Sequence, residues 1–183
     1  MTIAEVIAQA AGRLAAHRIE NSRLDAEVLL GHALAKDRAW LVAHYPDPIG
    51  DDVARYYDGL VERRAVREPL QYITGKQEFW GFDFLVTPDV LIPRPETELV
   101  VEQALVALAG KSQPLMIDLC TGSGCIAISV AGEHRTSSIY ATDRSEKALC
   151  VARKNAERNG VDARIRFVEA DLFGSLAVAG IEG

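Results

Sequence analysis

The sequence reads Asp118-Leu119-Cys120-Thr121-Gly122-Ser123-Gly124 directly after the apolar run Leu115 to Ile117. The apolar run predicts a short buried strand, as in a parallel sheet. The two glycines predict a sharp turn into a helix that begins at Cys125, and they let a ligand approach the backbone closely. This stretch therefore predicts the first strand, turn and helix of an α/β fold.

The residues after this turn alternate between helix and strand patterns. We predict a helix over 125–131, a strand over 138–142, a helix over 145–159 and a strand over 164–169. Strands joined by helices of this length form right-handed βαβ units in a parallel sheet. The fold class predicted for this region is therefore α/β and Rossmann-like, with three parallel strands.

The first 68 residues show helical periodicity and no convincing strand. Thr2 and Glu5 fit a capping box, and further helices are predicted to begin at Ser22, near Arg38 and near Asp52. Apolar residues fall on one face of the first helix, namely Ile3, Val6, Ile7, Ala10 and Leu14, and follow at mixed helical spacing in the second, namely Leu24, Val28, Leu30 and Leu34.

A change of pattern near Gln71 marks the end of the helical region. β-Branched and aromatic residues from Tyr72 to Val86 predict a hairpin, and a helix is predicted over 95–109. We therefore expect a small all-α domain over 1–74, a β-hairpin connector over 75–94 and a Rossmann-like domain over 95–183.

The composition excludes several classes of protein. With 20 Lys and Arg against 26 Asp and Glu, the net charge is −6, which disfavours direct nucleic-acid binding. The three cysteines form no C-x-x-C pair, so neither a zinc site nor a disulfide framework is expected, and Cys120 and Cys125 are expected to be small buried side chains. No basic leader or apolar run of membrane-spanning length occurs, so we expect a cytoplasmic protein that binds no membrane and no metal.

Two aspartates at predicted strand ends indicate which ligand the turn receives. Asp143 lies 19 residues after Gly124, where a carboxylate accepts hydrogen bonds from two ribose hydroxyls. Asp118 would repel the pyrophosphate of a dinucleotide, because like charges a few ångströms apart are unfavourable. S-adenosylmethionine has no phosphate and carries an ammonium and a sulfonium, which a carboxylate stabilises. These residues favour S-adenosylmethionine.

Two further segments are candidate parts of the site. Asp171-Leu172-Phe173 follows the third strand and offers a carboxylate to the adenine amino group and an apolar wall to the ring. In Leu91 to Glu98, prolines stiffen the approach to a helix whose N–H groups, with Arg94 and Thr97, form either a polar wall beside a ligand or an ordinary acidic helix start. A nicotinamide-dependent oxidoreductase remains an alternative, because Gly122-x-Gly124-x-x-Ala127 followed by Asp143 also fits a dinucleotide turn.

Several motifs together resemble the HemK/PrmC family. They are Glu68 to Gly75, Phe79-Trp80-Gly81, Ile92 to Glu98 with the run Ile-Pro-Arg-Pro-Glu-Thr-Glu, and Asp118 to Gly124. The resemblance implies an S-adenosylmethionine-dependent enzyme that methylates the glutamine side-chain amide in the Gly-Gly-Gln motif of peptide chain release factors. It also implies that the helical domain contacts the release factor and that a Rossmann-like methyltransferase domain holds the cofactor.

The resemblance also implies roles for individual residues. Residues predicted to bind the cofactor are Asp118, Cys120, Thr121, Gly122, Ser123, Gly124, Asp143, Asp171 and Leu172. Residues predicted to lie near the cofactor and the entering glutamine are Arg94, Pro95, Glu96 and Thr97.

One family motif is missing from this sequence. The family places Asn-Pro-Pro-Tyr after the fourth strand to orient the target amide, and no such motif occurs here. We therefore expect an incomplete methyltransferase domain that binds cofactor weakly and transfers no methyl group by itself. The alternatives are an amino-group methyltransferase acting on nucleic acid, the oxidoreductase above, and a catalytically inactive binding fragment.

Overall fold

The computed structural model describes residues 1–172 and divides the chain into two compact units. The first is Met1–Thr74 and the second begins at Gly75. Within the described residues, no helix has both the length and the apolar content needed to cross a membrane.

The first unit consists of helices. They are α1 (Ile3–Ala16), α2 (Ser22–Leu34), α3 (Arg38–Ala43), α4 (Asp51–Ala65) and α5 (Leu70–Thr74). The capping box predicted at the start of α1 is confirmed, because the Thr2 hydroxyl accepts from the Glu5 N–H and the Glu5 carboxylate accepts from the Thr2 N–H. The predicted buried face of α1 is confirmed at all five positions.

The strand-like interpretation of Tyr72 and Ile73 is wrong. Both residues lie in α5, and their N–H groups donate to the carbonyl oxygen of Pro69. Proline suits the position before a first helical turn, because the N–H that it lacks would have no helical partner there. Burial of Ile73 in the core of the first unit then holds this short helix in place.

The apolar residues at mixed spacing in α2 do not share one buried face. Leu24 and Val28 are exposed, whereas Asp25 and Glu27 are buried. Glu27 accepts hydrogen bonds from Arg23 (3.1 Å) and Arg38 (2.8 Å). Buried carboxylates are tolerated when they are paired and hydrogen-bonded. These ion pairs therefore allow α2 to bury Glu27 while Leu24 and Val28 stay exposed.

A further ion pair involves an arginine at the end of α4. Arg64 is largely buried, and its guanidinium donates to Asp25 Oδ2 (2.7 Å) and to the Glu68 carbonyl oxygen (2.9 Å). The pair joins α4 to α2 across 39 positions of sequence. Arg64 is therefore part of the packing of the first unit.

Glu27 is expected to make stability depend on pH. Burial raises its pKa, but hydrogen bonds from Arg38 and Arg23 lower it by more, so the net pKa is below its ordinary value. A carboxyl group whose pKa is lower in the folded state stabilises the fold above the unfolded value, about 4.3, and loses that contribution as pH falls through the folded value. We expect Glu27→Gln to reduce the difference between the urea midpoints measured at pH 7 and pH 3.

The matched control is Glu20→Gln, because Glu20 is exposed. This variant should keep the pH dependence of the unaltered chain. An unchanged difference between the two midpoints in Glu27→Gln would contradict the assignment.

The second unit combines a hairpin with a parallel sheet. Strands β1 (Lys76–Phe79) and β2 (Phe82–Leu85) form the antiparallel hairpin. Strands β3 (Leu115–Leu119), β4 (Ser138–Asp143) and β5 (Ile165–Glu169) form the parallel sheet in the order β3-β4-β5. The predicted α/β fold with three parallel strands, preceded by a hairpin and a helical region, is confirmed.

The helices of this unit lie close to their predicted bounds. They are α6 (Glu98–Leu108), α7 (Cys125–Glu133) and α8 (Glu146–Arg158), and the predicted first turn at Pro95–Thr97 is a 3-10 helix. Phe79 and Phe84 of the hairpin pack into the same core as Val101, Ile128 and Ile139. The hairpin therefore contributes to the core of the second unit.

The prediction that β3 is a buried strand is wrong for one of its faces. Leu115 is 53% exposed and Ile117 is 36% exposed. The core of the second unit includes Ile139 and Ala141 of β4 and Met116 of β3, which alternates with the two exposed residues. Within residues 75–172, β3 is one of the two edge strands of the parallel sheet, and the side chains of Leu115 and Ile117 on its other face are accessible.

Candidate cofactor site

The loop between β3 and α7 has an unusual backbone. Cys120, Gly122 and Gly124 all have positive φ, at 58°, 56° and 82°. Hydrogen bonds fix the loop at both ends, because the Thr121 N–H donates to the Thr142 carbonyl of β4 and the Gly124 N–H donates to the Thr121 carbonyl, each at 2.8 Å. We call residues 120–124 the glycine loop.

The two glycines serve different purposes in this loop. A β-carbon at Gly124 would lie 2.8 Å from Ile128 Cδ1 and 3.2 Å from Ala152 Cβ, so this position requires glycine for packing. A β-carbon at Gly122 would meet only the Cys120 carbonyl oxygen, 4.0 Å away. Gly124 therefore lets α7 and α8 pack beneath the loop, and Gly122 leaves room beside its backbone.

Asp118 holds the loop and the start of α7 together. It is buried, and its Oδ2 accepts hydrogen bonds from the Thr121 hydroxyl (2.7 Å) and from the Ala127 N–H (3.2 Å). Ala127 is in the first turn of α7, whose N–H groups have no partner within the helix. Burial raises the pKa of Asp118, the hydrogen bonds oppose that shift, and the nearby Asp143 adds to it.

Asp143 lies at the end of β4 and contacts the glycine loop directly. Its Oδ2 accepts from the Gly122 N–H and its Oδ1 accepts from the Ser145 N–H, each at 3.0 Å. Its side chain is partly exposed. A carboxylate oxygen has two lone pairs, so each oxygen can accept one further hydrogen bond. This geometry suits a ligand with two adjacent hydroxyl groups.

The end of β5 lies beside the end of β4. The Ala170 N–H donates to the Asp143 carbonyl oxygen at 3.0 Å. Asp171 and Leu172 follow directly and are exposed. The structure therefore brings the glycine loop, Asp143 and the start of the Asp171-Leu172-Phe173 segment to the C-terminal ends of the parallel strands. Phe173 lies outside the described residues.

The second predicted segment is placed differently. Arg94 precedes the 3-10 helix that contains Pro95, Glu96 and Thr97. Among residues 1–172, no hydrogen bond or ion pair joins these four side chains to the glycine loop. The neighbouring Glu98 accepts a hydrogen bond from the Trp80 N–H at 2.9 Å, so that part of the motif holds the hairpin turn. The proximity of these four residues to a cofactor stays a prediction.

The expected burial of two cysteines is confirmed for Cys125 and wrong for Cys120. Cys120 and Cys150 are exposed, and only Cys125 is buried. Burial raises the pKa of the Cys125 thiol to about 11, so this group stays protonated at neutral pH. Within the described part of the chain, no cluster of three or more His, Cys, Asp or Glu is placed to hold a metal ion.

Sequence reasoning missed one residue at this site. Asn155 of α8 is fully buried and contacts both the glycine loop and the hairpin. The available signal was its position, because Asn155 is the only polar residue on the buried face of α8, whose other members are Ala148, Leu149, Val151, Ala152 and Ala156. A polar side chain on such a face requires hydrogen-bond partners.

Comparison with known proteins agrees with the two units. Residues 5–75 match the family described as PrmC N-terminal domain, and residues 97–179 match the family described as methyltransferase small domain. Among solved structures, an RNA methyltransferase from Salinibacter ruber in complex with S-adenosyl-L-homocysteine overlaps 45% of this chain and 52% of that chain, with 29% identity and a TM-score of 0.40.

Several proteins that are similar to this chain over most of its length are named release factor glutamine methyltransferase. The protein from Burkholderia pseudomallei is 46% identical over 157 residues, which are 84% of this chain and 55% of that protein. The protein from Geobacter sulfurreducens is 43% identical over 172 residues, which are 94% of this chain and 59% of that protein. This chain thus spans between half and two thirds of the length of these relatives, and its predicted resemblance to the HemK/PrmC family is confirmed by a match to the PrmC N-terminal domain followed by a match to the methyltransferase small domain.

Proposed function

We propose that this chain is part of an S-adenosylmethionine-dependent enzyme that methylates the side-chain amide nitrogen of the glutamine in the Gly-Gly-Gln motif of peptide chain release factors. The observation that carries the proposal is the 40–46% identity, over most of the chain, to several proteins named release factor glutamine methyltransferase. The enzyme would act in translation termination, and the cytoplasm, where termination occurs, is its proposed location.

The residues at the carboxyl edge of the sheet fit S-adenosylmethionine. Asp143 has acceptor capacity for two ribose hydroxyls, and Gly122 leaves space beside the loop backbone. Bound S-adenosylmethionine supplies an electrophilic methyl group. Within this chain, Cys120 to Gly124 would line the methionine part of the cofactor, and Asp171 and Leu172 would flank the adenine.

Asp118 would contribute negative charge beneath the cofactor. Its carboxyl group is already bonded to Thr121 and Ala127, so its first role is to hold the loop. Burial raises the pKa of Asp118, so its ionisation is less favourable in the chain alone than that of an exposed aspartate. A cation placed above the loop, such as the ammonium or sulfonium of S-adenosylmethionine, would favour the ionised form. This coupling also disfavours an anionic pyrophosphate at the same place.

We assign the contact with the release factor to the helical unit, and we propose that Arg94, Pro95, Glu96 and Thr97 lie near the cofactor and the entering glutamine. The assignment follows from the family match of residues 5–75 and from the motif that contains the four residues. Orientation of the target amide is attributed in the family to Asn-Pro-Pro-Tyr, which does not occur in this sequence. The roles proposed for this chain are therefore to hold the cofactor and to contact the substrate.

The proposal is tested first by binding and then by methyl transfer. Calorimetric titration of the 183-residue chain should show binding of S-adenosylhomocysteine and none of NAD. For methyl transfer, a chimera is made in which residues 1–172 are followed by the C-terminal part of the Burkholderia pseudomallei relative. That part is the portion of the relative that follows the region similar to this chain. With tritium-labelled S-adenosylmethionine, this chimera should label a release factor, whereas the 183-residue chain alone should give no detectable label.

One control and two contradicting outcomes test the assigned substrate and cofactor. Label should disappear when the glutamine of Gly-Gly-Gln is changed to alanine. Label on adenine in DNA instead of the release factor would overturn the substrate assignment. Binding of NAD without binding of S-adenosylhomocysteine would overturn the cofactor assignment and favour an oxidoreductase.

A further inference from the structure

We propose that Asn155 is a positioning residue that sets the conformation of the glycine loop by tying it to the hairpin. The proposal rests on the proposed function, because it names the residue that prepares this loop for the cofactor. Asn155 would not touch the cofactor itself. It would act through the backbone of Ser123, the residue between the two glycines.

The side-chain amide of Asn155 bonds to two segments that are distant in sequence. Its Nδ2 donates to the Ser123 carbonyl (2.9 Å) and to the Leu85 carbonyl (3.0 Å), and its Oδ1 accepts from the Leu85 N–H (2.6 Å). The two bonds to Leu85 reproduce the paired N–H and C=O exchange of an antiparallel strand. The side chain therefore extends the pairing of β2 and uses its remaining N–H for the loop.

Both donor hydrogens of the amide are used, and the side chains closest to asparagine in shape do not reproduce this pattern. Aspartate has the same shape but no side-chain N–H, and leucine has neither donor nor acceptor. Asn155 is 0% exposed and Ser123 is 2% exposed, so water does not substitute for a lost partner. A buried carbonyl without a partner is unfavourable, which makes the loop sensitive to this one amide.

The same helix supports the next residue of the loop. Ala152 lies one turn before Asn155 and contacts the position that a β-carbon at Gly124 would occupy. α8 thus supports Gly124 by packing and Ser123 by a hydrogen bond. The Gly122 N–H, which points to Asp143, is adjacent to Ser123, so a shift of Ser123 would disturb the contact that orients the proposed ribose acceptor.

The chain offers a matched control at Asn159. This residue lies one turn further along, at the end of α8, and its Nδ2 donates to the Asp83 carbonyl of the same hairpin at 3.1 Å. Its other bond, to the Asn155 carbonyl, stays within the helix end, and no hydrogen bond of Asn159 in the described residues reaches the glycine loop. Asn159→Asp therefore removes a hairpin contact by the same chemical change and leaves the loop contact in place.

The experiment compares Asn155→Asp with Asn159→Asp at a temperature where circular dichroism shows both variants to be folded. We expect Asn155→Asp to raise the Kd for S-adenosylhomocysteine about 10-fold or more, and Asn159→Asp to leave it within about 2-fold. In 15N NMR spectra without ligand, Asn155→Asp should shift the Gly122 and Gly124 amide signals and speed their hydrogen exchange. Asn159→Asp should change neither glycine.

The binding measurement and the NMR comparison distinguish a failure of this proposal from a failure of the proposed function. If the unaltered chain does not bind S-adenosylhomocysteine, the proposed function fails, and the NMR comparison alone decides the role of Asn155. Unchanged loop signals in Asn155→Asp, or equal effects of both variants on them, overturn the proposal. If Asn155→Asp does not fold, Asn155→Ser, which is smaller and keeps one donor, is measured in the same way against Asn159→Ser.

Discussion

Replacing Gly124 by alanine is expected to lower the free energy of unfolding of the second unit by about 3 kcal/mol. A positive φ is unfavourable for alanine by about 1–2 kcal/mol, and overpacking of a buried contact adds about 1–3 kcal/mol. The new methyl group would lie 2.8 Å from Ile128 Cδ1 and 3.2 Å from Ala152 Cβ, so the buried Ile128 side chain would have to change its conformation and Ala152 would have to shift by a few tenths of an ångström. Urea unfolding followed by circular dichroism measures the change.

Gly122→Ala is the matched control for the packing effect. Its φ is also positive, but a β-carbon there would meet only the Cys120 carbonyl, 4.0 Å away. We expect it to lower the free energy of unfolding by about 1 kcal/mol, which is the conformational effect alone. Equal destabilisation by the two substitutions would contradict the proposed contact of Gly124 with α8.

Asp143→Ala is expected to weaken binding of S-adenosylhomocysteine by about 2–3 kcal/mol, or about 30- to 150-fold. The carboxylate holds the Gly122 and Ser145 N–H groups and is the proposed acceptor for the ribose hydroxyls. Alanine removes all of these acceptors together. Calorimetric titration of the folded variant measures the loss.

Asp118→Asn provides the comparison for this second prediction. The amide oxygen of asparagine can still accept from Thr121 and Ala127, so the loop should keep its shape. A carboxyl group whose pKa is raised on folding makes the fold less stable as the pH rises from the pKa of the unfolded state through that of the folded state. Burial raises the pKa of Asp118, so removing its charge should not lower the free energy of unfolding at pH 7. Binding should nevertheless weaken, because the partner for the positive charge of the ligand is lost.

The outcome for Asp143 is informative in both directions. If Asp143→Asn, which keeps one acceptor oxygen, binds as weakly as Asp143→Ala, a single acceptor oxygen does not replace the carboxylate. If Asp143→Ala binds as tightly as the unaltered chain, Asp143 is not the ribose acceptor. In that case its role would be limited to holding the glycine loop.

Local patterns explain why much of the fold could be predicted. The spacing of Ile3, Val6, Ile7, Ala10 and Leu14 places them on one side of a helix whatever surrounds it. The turn after Leu119 could be predicted for a similar reason, since glycines at 122 and 124 permit backbone angles that other residues rarely adopt. These features depend on residues that are neighbours in the sequence.

Burial of polar groups could not be predicted in this way. Asp25 and Glu27 are buried although hydropathy predicts exposure, because arginines reach them from α4 and from the start of α3. Leu115 and Ile117 show the opposite error, since they are apolar and lie on the accessible face of an edge strand. In both cases the partner, or its absence among the described residues, depends on tertiary packing.

The sequence by itself determined the order of helices and strands, the glycine loop, the aspartates at the strand ends and the resemblance to a methyltransferase family. Each of these depends on residue type and spacing along the chain. Only the tertiary structure decided that Asp118 holds the start of α7 and that Asp143 holds Gly122. Only the tertiary structure, likewise, placed Asn155 between Leu85 and Ser123, which are 70 and 32 positions away. The physical reason is that a hydrogen bond requires two groups about 3 Å apart, and that distance exists only when the chain has folded.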